Sequence, residues 1–303
     1  MSEPTAAPVC YRHAGRETYV RCTRCDRPIC PECMVEAAVG FQCPDCVREG
    51  RRSVRPARTT FGGRAVADAT VTRVLIALNV LGFLYELQVG ENVAAGRFAM
   101  SPTSVAHGEY YRLVTAAFLH YGPIHLALNM YALYMLGSQV ERTLGRSRFV
   151  AMYLASALGG SMLSYLLSPR NVLGAGASGA VYGLFGAYFV IARRLRADTS
   201  QIVGVIGFNL VFSFVVPSID WRAHIGGLLV GGALTYAFAH LDGPRRDVLH
   251  AAAVAAVVVL LLVVIAVRTA ALRDAPVQAG SLGAPLASAV SVATTSSGGA
   301  PSR

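Results

Sequence analysis

Charged side chains are scarce in this chain of 303 residues: they make up 15% of it, whereas hydrophobic residues make up 54%. Soluble domains carry charges on about a quarter of their residues, so this composition argues against an ordinary soluble domain and predicts a polytopic membrane protein. The formal net charge of +10 does not point to a nucleic-acid partner. The arginines cluster between apolar segments, where positive residues fix the orientation of membrane spans.

Cysteine is absent from the apolar region, because all seven cysteines lie between Cys10 and Cys46. The N-terminal stretch also lacks the apolar run that a cleavable signal peptide requires, so we expect none. We therefore predict a small soluble module at residues 1–50, followed by a basic linker at residues 51–70. Residues 271–303, rich in Ala, Ser, Gly and Pro, are predicted to be a disordered tail because they cannot bury enough apolar surface to fold.

Apolar runs fill the rest of the chain, each close to the roughly 20 residues that cross a bilayer as a helix. The pattern predicts spans at about residues 71–90, 123–141, 148–168, 177–193, 201–218, 222–241 and 248–268. Arginines occupy every second connection, and the positive-inside rule then places the N-terminus in the cytoplasm. With seven spans the C-terminus is external. We expect a multi-pass protein of the cell membrane.

The N-terminal module carries four pairs of potential metal ligands with two residues between the members of each pair. These are Cys10-x-x-His13, Cys22-x-x-Cys25, Cys30-x-x-Cys33 and Cys43-x-x-Cys46. One tight turn can present both side chains of such a pair to a single ion, and eight ligands fill two tetrahedral zinc sites. A disulfide set is disfavoured by the predicted cytoplasmic location. Since all ligands are used, we predict two structural zinc ions and no catalytic one.

The apolar region lacks the signatures of several membrane chemistries. It has no His-Glu-x-x-His, no aspartate pair within the spans and no phosphate-binding loop. It does contain polar side chains at span positions, which are costly in lipid and therefore functional candidates. They are His120, His125 and Asn129 in one segment, Ser178 and Tyr182 in a second, and His224 in a third.

The spacing of these residues predicts that they meet at one depth in the membrane. His125 and Asn129 share a helix face, as do residues 178 and 182. Two small-x-x-x-small patterns, at residues 179–183 and 227–231, permit two helices to approach closely. A serine and a histidine brought together in this way form a nucleophile and its base. Taken singly, the glycine patterns also suit plain helix packing, and a lone membrane histidine also suits a proton relay.

In order along the chain, the motifs resemble those of the rhomboid intramembrane serine proteases. The resemblance covers about residues 70–242 and rests on His120-x4-His125-x3-Asn129, Gly176-Ala-Ser178-Gly179 with Tyr182, and Ala223-His224-x-x-Gly227. It implies an all-α, six-helix catalytic core at residues 71–242, with an additional helix within residues 243–270.

The same resemblance assigns roles to individual side chains. Ser178 is expected to be the nucleophile and His224 its general base. His125, Asn129 and the Ser178 backbone N–H are expected to form the oxyanion hole, with His120 and Gly176 in support. Tyr182 is expected to stack on His224 and hold its ring. Arg112 matches a loop motif in which Tyr111 stands where tryptophan is usual, and Glu141 matches a structural glutamate.

The N-terminal module resembles a B-box-like zinc finger over about residues 8–48. If its pairs interleave as in cross-braced fingers, Cys10, His13, Cys30 and Cys33 hold one ion, and Cys22, Cys25, Cys43 and Cys46 hold the other. A sequential arrangement of the pairs is the alternative.

The function expected from the resemblance is cleavage of transmembrane helices of membrane-protein substrates by a serine endopeptidase with no catalytic cofactor. Its partners would be those substrates, the lipid bilayer and a cytoplasmic protein bound by the zinc finger. A second hypothesis is a catalytically silent membrane adaptor that binds client helices and recruits cytoplasmic partners. A proton-coupled transporter is a third, but it leaves the Gly-x-Ser-Gly motif without a role.

Overall fold

The computed structural model describes residues 7–53, 57–216 and 218–274, and within them the chain is mostly helical. The predicted disordered tail lies almost entirely at residues 275–303, outside the described residues. The helices are α1 (Pro44–Ser53), α2 (Thr70–Val89), α3 (Glu91–Phe98), α4 (Pro102–Ala106), α5 (Arg112–Thr115), α6 (Gly122–Ala132), α7 (Ser138–Leu144), α8 (Arg146–Leu167), α9 (Ser178–Arg194), α10 (Ser200–Val215), α11 (Trp221–His240) and α12 (Arg246–Asp274). Each predicted span coincides with a helix, and the second is α6 and α7 joined by a π-helical segment, Leu133–Gly137.

The N-terminal module is built from two small antiparallel ladders and one helix. Strand β1 (Val9–Cys10) pairs with β2 (His13–Glu17), β3 (Val35–Glu36) pairs with β4 (Phe41–Gln42), and α1 follows. The buried interior consists of cysteine side chains and Ile29. A module this small rarely buries enough apolar surface to fold without a metal or disulfides. All seven cysteines are free thiols, so the framework is one that metal ions would complete.

Three of the long helices have the length and hydropathy of membrane spans: α2, α8 and α12. Helices α9 and α11 carry more glycine and are packed at the centre of the bundle, where α11 contacts both α8 and α9. Many large apolar side chains of the outer helices are exposed, among them Phe208 on α10 and Leu260 on α12. An apolar exterior around a packed interior is the arrangement expected of a membrane protein.

Glycines allow the backbones of α9 and α11 to touch, as the small-x-x-x-small patterns predicted. A Cβ atom added to Gly227 would overlap the carbonyl oxygen of Gly179, and one added to Gly231 would overlap that of Gly183. Neither position leaves room for a side chain. This contact fixes the spacing of the two helices that carry Ser178 and His224.

Glu141, in the middle of α7, supports the start of α2. Its carboxylate is fully buried and accepts hydrogen bonds from the backbone N–H groups of Val71, at 3.0 Å, and Thr72, at 2.8 Å. These are free N–H groups of a helix N-terminus, where a carboxylate is favourable. The structural role implied for Glu141 is thereby accounted for.

The second half of the predicted basic linker is folded onto the helical bundle. The amide of Thr59 donates to Gly63 O at 2.8 Å, and that of Ala65 donates to Ala57 O at 2.8 Å, which closes a short hairpin-like turn. Phe61 at its tip is 1% exposed and belongs to the main hydrophobic core. Residues 57–65 therefore form part of the wall of the membrane domain.

Candidate active site

Ser178 is the first residue of α9, so backbone N–H groups of that helix terminus lie free beside its hydroxyl. The preceding loop is held by a two-way backbone pairing of Gly174 with Met100, each amide donating to the other's carbonyl at 2.9 Å. Gly176 has a φ of +131°, a conformation that glycine adopts readily and other residues rarely do. Its amide donates to Ala116 O at 2.9 Å. The loop thus delivers the serine to a defined, partly exposed position.

His224 lies in the first turn of α11 and is 6% exposed. Asp220 caps this helix by accepting from the amides of Arg222, at 3.1 Å, and Ala223, at 3.4 Å. A second bond, from the Ser164 hydroxyl to Asp220, ties the cap to α8. The His224 ring stacks on Tyr182, with centroids 3.9 Å apart and planes inclined by 11°. The stacking implied by the resemblance is present.

Ser213 on α10 is a partner of His224 that the sequence motifs do not predict. Its Oγ lies 2.7 Å from His224 Nδ1, and its hydroxyl donates to Asn209 O at 2.6 Å. A hydroxyl has one proton to donate, so with that proton on Asn209 O it accepts from Nδ1–H. The Tyr182 hydroxyl lies 3.3 Å from the same oxygen. His224 is thereby held in the tautomer whose Nε2 is unprotonated and free to accept a proton.

The neighbours of Ser178 and His224 are in contact, although the two side chains do not bond to each other. Gly179 lies against the backbone of Ala223 and Gly227, which brings the starts of α9 and α11 together. Within the described residues, the Ser178 hydroxyl makes no hydrogen bond to the His224 ring. Catalytic hydrogen bonds are often longer before a substrate is bound, and this geometry leaves Nε2 unengaged by any other described group.

His125 lies close to the serine and in a defined tautomer. Its Nδ1 accepts the backbone N–H of Tyr121 at 3.2 Å, so in the neutral ring Nε2 carries the proton. A Cβ atom on Gly176 would lie 3.1 Å from this Nε2 and 3.6 Å from Ser178 Oγ. The narrow space above Gly176 is therefore bordered by both a donor and the hydroxyl, and a side chain there would fill it.

The other two side chains expected to form or support the oxyanion hole, Asn129 and His120, make no hydrogen bond to Ser178 within the described residues. Asn129 on α6 donates from Nδ2 to His125 O at 2.9 Å, which leaves its second N–H available. His120 precedes α6 and is 1% exposed, with its ring centroid 5.2 Å from that of His125. Neither of its ring nitrogens has a hydrogen-bond partner among the described residues. The His120 ring therefore packs against His125 without a polar contact, while the His120 backbone N–H donates to Glu86 Oε1 at 2.9 Å.

Arg112 organises the loop that leads to the site. Its guanidinium is buried and donates to Ala99 O at 3.0 Å and Gly96 O at 2.7 Å, which ties α5 to the C-terminal end of α3. Glu109 accepts hydrogen bonds from Arg112 Nε and from the Tyr111 hydroxyl. These bonds lower the pKa of Glu109 below its usual value, and the bond from Arg112 has the larger effect. Tyr111, at the position where tryptophan is usual, is half exposed and bonds Arg97 O.

The Cys and His side chains of the N-terminal module form two separate groups. Their ligand atoms lie within 4.8 Å of one another in each group, which is Cys10, His13, Cys30 and Cys33 in the first and Cys22, Cys25, Cys43 and Cys46 in the second. The interleaved arrangement is therefore the one found. Thiolates about 2.3 Å from one ion at tetrahedral angles lie about 3.8 Å apart. The Cys25 and Cys43 sulfurs of the second group are 3.7 Å apart, which fits this spacing, and the ligand sets of both groups could hold a metal ion.

Their surroundings lower the pKa of three of these thiols, Cys10, Cys22 and Cys25, whereas burial raises the pKa of Cys33 and Cys46. Burial opposes ionisation of Cys10, but backbone N–H groups directed at its sulfur outweigh burial and lower its pKa to about 6. The same balance, with burial opposed by the amides of Cys43 and Arg24, lowers the pKa of Cys22 to about 6. Thiolates are the form that binds metal.

Together, the fold and the site define a polytopic helical membrane protein with an N-terminal module that could hold two metal ions. A Rhomboid domain profile matches residues 107–241. The putative rhomboid protease YdcA of Bacillus subtilis (strain 168) is 34% identical over 137 residues, which cover 44% of this chain and 69% of YdcA. The chain belongs to the rhomboid family.

Two further relatives match over smaller shares of their length. Rhomboid protease GluP of Bacillus subtilis (strain 168) is 42% identical over 173 residues, which cover 54% of this chain and 33% of GluP. RHOMBOID-like protein 6, mitochondrial, of Arabidopsis thaliana is 37% identical over 139 residues, which cover 44% of this chain and 45% of the relative. The chain thus spans a third of the length of GluP and under half of the plant protein.

Proposed function

We propose that the protein is an intramembrane serine endopeptidase in which Ser178 is the nucleophile and His224 the general base. The observation that carries this is the fixed ring of His224. Tyr182 stacks on it and Ser213 binds Nδ1, so that only Nε2 is left to act on the hydroxyl at the adjoining helix start. The relatives GluP and YdcA, named as a rhomboid protease and a putative rhomboid protease, support the reaction class.

In the proposed reaction the Ser178 oxygen attacks the carbonyl carbon of the scissile peptide while His224 Nε2 accepts its proton. The carbonyl π bond becomes the C–O⁻ of a tetrahedral intermediate. In this proposal the Ser178 N–H and His125 Nε2–H donate to that oxyanion, with the free N–H of Asn129 as a third donor. Collapse breaks the C–N bond, and the imidazolium returns its proton to the leaving amine. Water then hydrolyses the acyl-enzyme by the same proton route.

Ser213 takes the place that a carboxylate has in a Ser-His-Asp triad. It orients the ring and selects the tautomer, as a carboxylate does. Because the Ser213 hydroxyl is neutral, it stabilises the His224 imidazolium less than a carboxylate would. We therefore assign Ser213 as a positioning residue.

The substrates that fit this site are transmembrane segments of other proteins, since the serine is reached from within an apolar helical bundle. We propose an orientation with the N-terminal module in the cytoplasm, seven spans and an external C-terminus. The arginines at the ends of α9 and at the starts of α8 and α12 lie on the cytoplasmic side in this arrangement.

The test is covalent labelling of the purified full-length chain with a fluorophosphonate probe, which reacts with activated serines. We expect one label per chain, on the peptide that contains Ser178, and loss of labelling in Ser178→Ala. Ser161→Ala, on α8, is the control and should label as the wild type does. Labelling that persists in Ser178→Ala, or none in the folded wild type, would contradict the proposal.

Replacing Ser213 by alanine is expected to lower kcat by about 10- to 100-fold with KM unchanged, because the ring loses the acceptor that fixes its tautomer. Ser213→Thr keeps a hydroxyl at the same position and should recover most of the rate. The measurement is kcat and KM for a single-span substrate, with Ser200→Ala on the same helix as a control. Equal rates for the alanine and threonine variants would exclude the positioning role.

We propose that the two Cys/His groups bind structural zinc. Zinc would be expected to hold the two ladders and α1 together, because the module has little other core. Elemental analysis of the purified chain should give two zinc ions per chain, and Cys43→Ser should give about one. Tyr19→Ser, at an exposed non-ligand position of the same module, should keep two. Two ions retained in Cys43→Ser would contradict the assigned ligand set.

A further inference from the structure

A cavity of about 950 Å³ opens where the folded linker meets the starts of α8 and α12. Its polar end is formed by arginines from two separate segments, Arg58 and Arg64 of the linker and Arg146 and Arg148 of α8. Its other end is formed by small and branched apolar side chains. The cavity is separate from the candidate active site. It lies at the starts of α8 and α12, whereas Ser178 lies at the start of α9.

Positive charge dominates the polar end of this cavity. Four arginines line it against one acidic residue, Asp247, so the lining has a formal charge of +4 − 1 = +3. Asp247 is shared, since Arg58 binds both of its oxygens, at 3.0 and 2.9 Å, and Arg148 binds one at 2.6 Å. His250 Nδ1 accepts from Arg148 Nε at 2.8 Å, so its ring is neutral and adds no charge to the lining. The other two arginines are exposed: Arg64 forms no ion pair within the described residues, and Arg146 lies 3.9 Å from the buried carboxylate of Glu141.

The apolar end continues along the membrane-facing helices. Ala151 of α8 lies on one side, and Ala251, Val254, Ala255 and Val258 of α12 follow one another on the other. Residues 251 to 258 cover about 10 Å of helix length at 1.5 Å per residue. A groove that is cationic at the interface and apolar for this distance fits a molecule with an anionic head and a hydrocarbon chain. Inorganic phosphate would leave the apolar part uncovered.

The wall supplied by the linker is firmly attached. Phe61 is buried in the main core, and a Cβ atom on Gly63 would overlap the carbonyl oxygen of Leu144. Arg246 Nη2 reaches Thr59 O at 3.4 Å. Arg58 and Arg64 also face each other across an antiparallel backbone bridge. The two linker arginines therefore belong to a segment that is already folded. An anion that binds them does not have to order this segment.

We propose that this cavity binds an anionic glycerophospholipid, with its phosphodiester between Arg64 and Arg146 and an acyl chain along α8 and α12. Basic pockets between membrane helices on the cytoplasmic side are suited to such headgroups. The bound lipid bridges the linker, α8 and the last helix. The N-terminal module connects to the membrane domain through this linker, so the lipid reinforces the point of attachment. The inference does not depend on the proposed protease activity.

The experiment is native mass spectrometry of the detergent-solubilised full chain titrated with phosphatidylglycerol. Each arginine near an anionic headgroup contributes about fivefold in affinity, so the double variant Arg64→Gln/Arg146→Gln should bind at least about tenfold more weakly. Neither side chain bonds Asp247, so the Asp247 ion pairs are left in place, and the one ion pair that is lost is the 3.9 Å contact of Arg146 with Glu141. Ala255→Trp, which fills the exposed apolar end without removing charge, should weaken binding comparably.

Controls separate this site from general surface charge and from a site for free anions. Arg193→Gln removes an exposed arginine near the same end of the bundle and should bind phosphatidylglycerol as the wild type does. Phosphatidylcholine should bind more weakly, and inorganic phosphate should not displace phosphatidylglycerol. Equal binding by all variants, an equal loss in Arg193→Gln, or full displacement by inorganic phosphate would each overturn the proposal.

Discussion

Cleavage of a single-span model substrate is expected to fall below detection, by about 10³-fold or more, in both Ser178→Ala and His224→Ala. Residues that act as one catalytic unit each cost nearly the whole rate when removed, because neither can carry the proton transfer alone. The assay is gel analysis of a substrate reconstituted with the purified chain in liposomes. The two losses should be of similar size, and the double variant should be no worse than either single one.

Matched controls separate chemistry from folding in this experiment. Ser156→Ala removes a buried hydroxyl that bonds only within its own helix, to Met152. His240→Ala removes an exposed histidine at the opposite end of α11 from His224. Both should retain most of the wild-type rate. Cleavage that survives in Ser178→Ala would refute the nucleophile, and transport activity without any cleavage would favour the relay hypothesis.

The positions of the long helices could be predicted from the sequence because the bilayer fixes the length of an apolar run. Every predicted span coincides with a helix, and the ends of α8, Arg146 and Leu167, fall within two residues of those expected. The ligand pairs of the N-terminal module could be predicted equally well, since a two-residue spacing is a local constraint. Their interleaved pairing was not, because it depends on how the turns pack together.

The contact of Ser213 with His224 could not be predicted from the sequence, although a signal was present. Asn209 and Ser213 are polar residues four apart in an apolar helix, which marks them as candidates in lipid. Which neighbour they face depends on how α10 is rotated against α9 and α11. In the structure Ser213 is one of only two buried residues on α10, with Ile202 the other. Tyr182 alone was expected to hold the histidine, and it shares that task.

The folded linker was also beyond the sequence analysis. Five arginines between residues 51 and 70 gave the segment the composition of a polar connection. Two glycines and one phenylalanine override that composition, since Gly62 and Gly63 permit close packing and Phe61 fills a core position. Burial of the Phe61 ring stabilises the folded segment, whereas the exposed arginines stay solvated and oppose folding little. The hydrophobic periodicity of the sequence cannot reveal such a single anchor.

Gly227→Ala is expected to destabilise the membrane domain by about 3 kcal/mol or more and to abolish cleavage. The added methyl group would overlap the Gly179 carbonyl, which belongs to backbone and cannot rotate away, so α9 and α11 must separate. A shift of this kind moves His224 relative to Ser178 even where the bundle still folds. The measurement is thermal unfolding in detergent together with the cleavage assay.

Gly232→Ala on the same helix is the matched control, because the nearest atoms to its added Cβ lie 3.9 Å away, in Gly186. Alanine is intrinsically better than glycine in a helix by about 1 kcal/mol, so this variant should be as stable as the wild type or more so. Activity should persist with it. If Gly227→Ala kept both the melting temperature and the rate of the control, helix contact at residue 179 would not be what sets the geometry of the site. If Gly227→Ala lost activity but kept its melting temperature, the close contact of α9 and α11 would be needed to position Ser178 and His224 rather than to keep the domain folded.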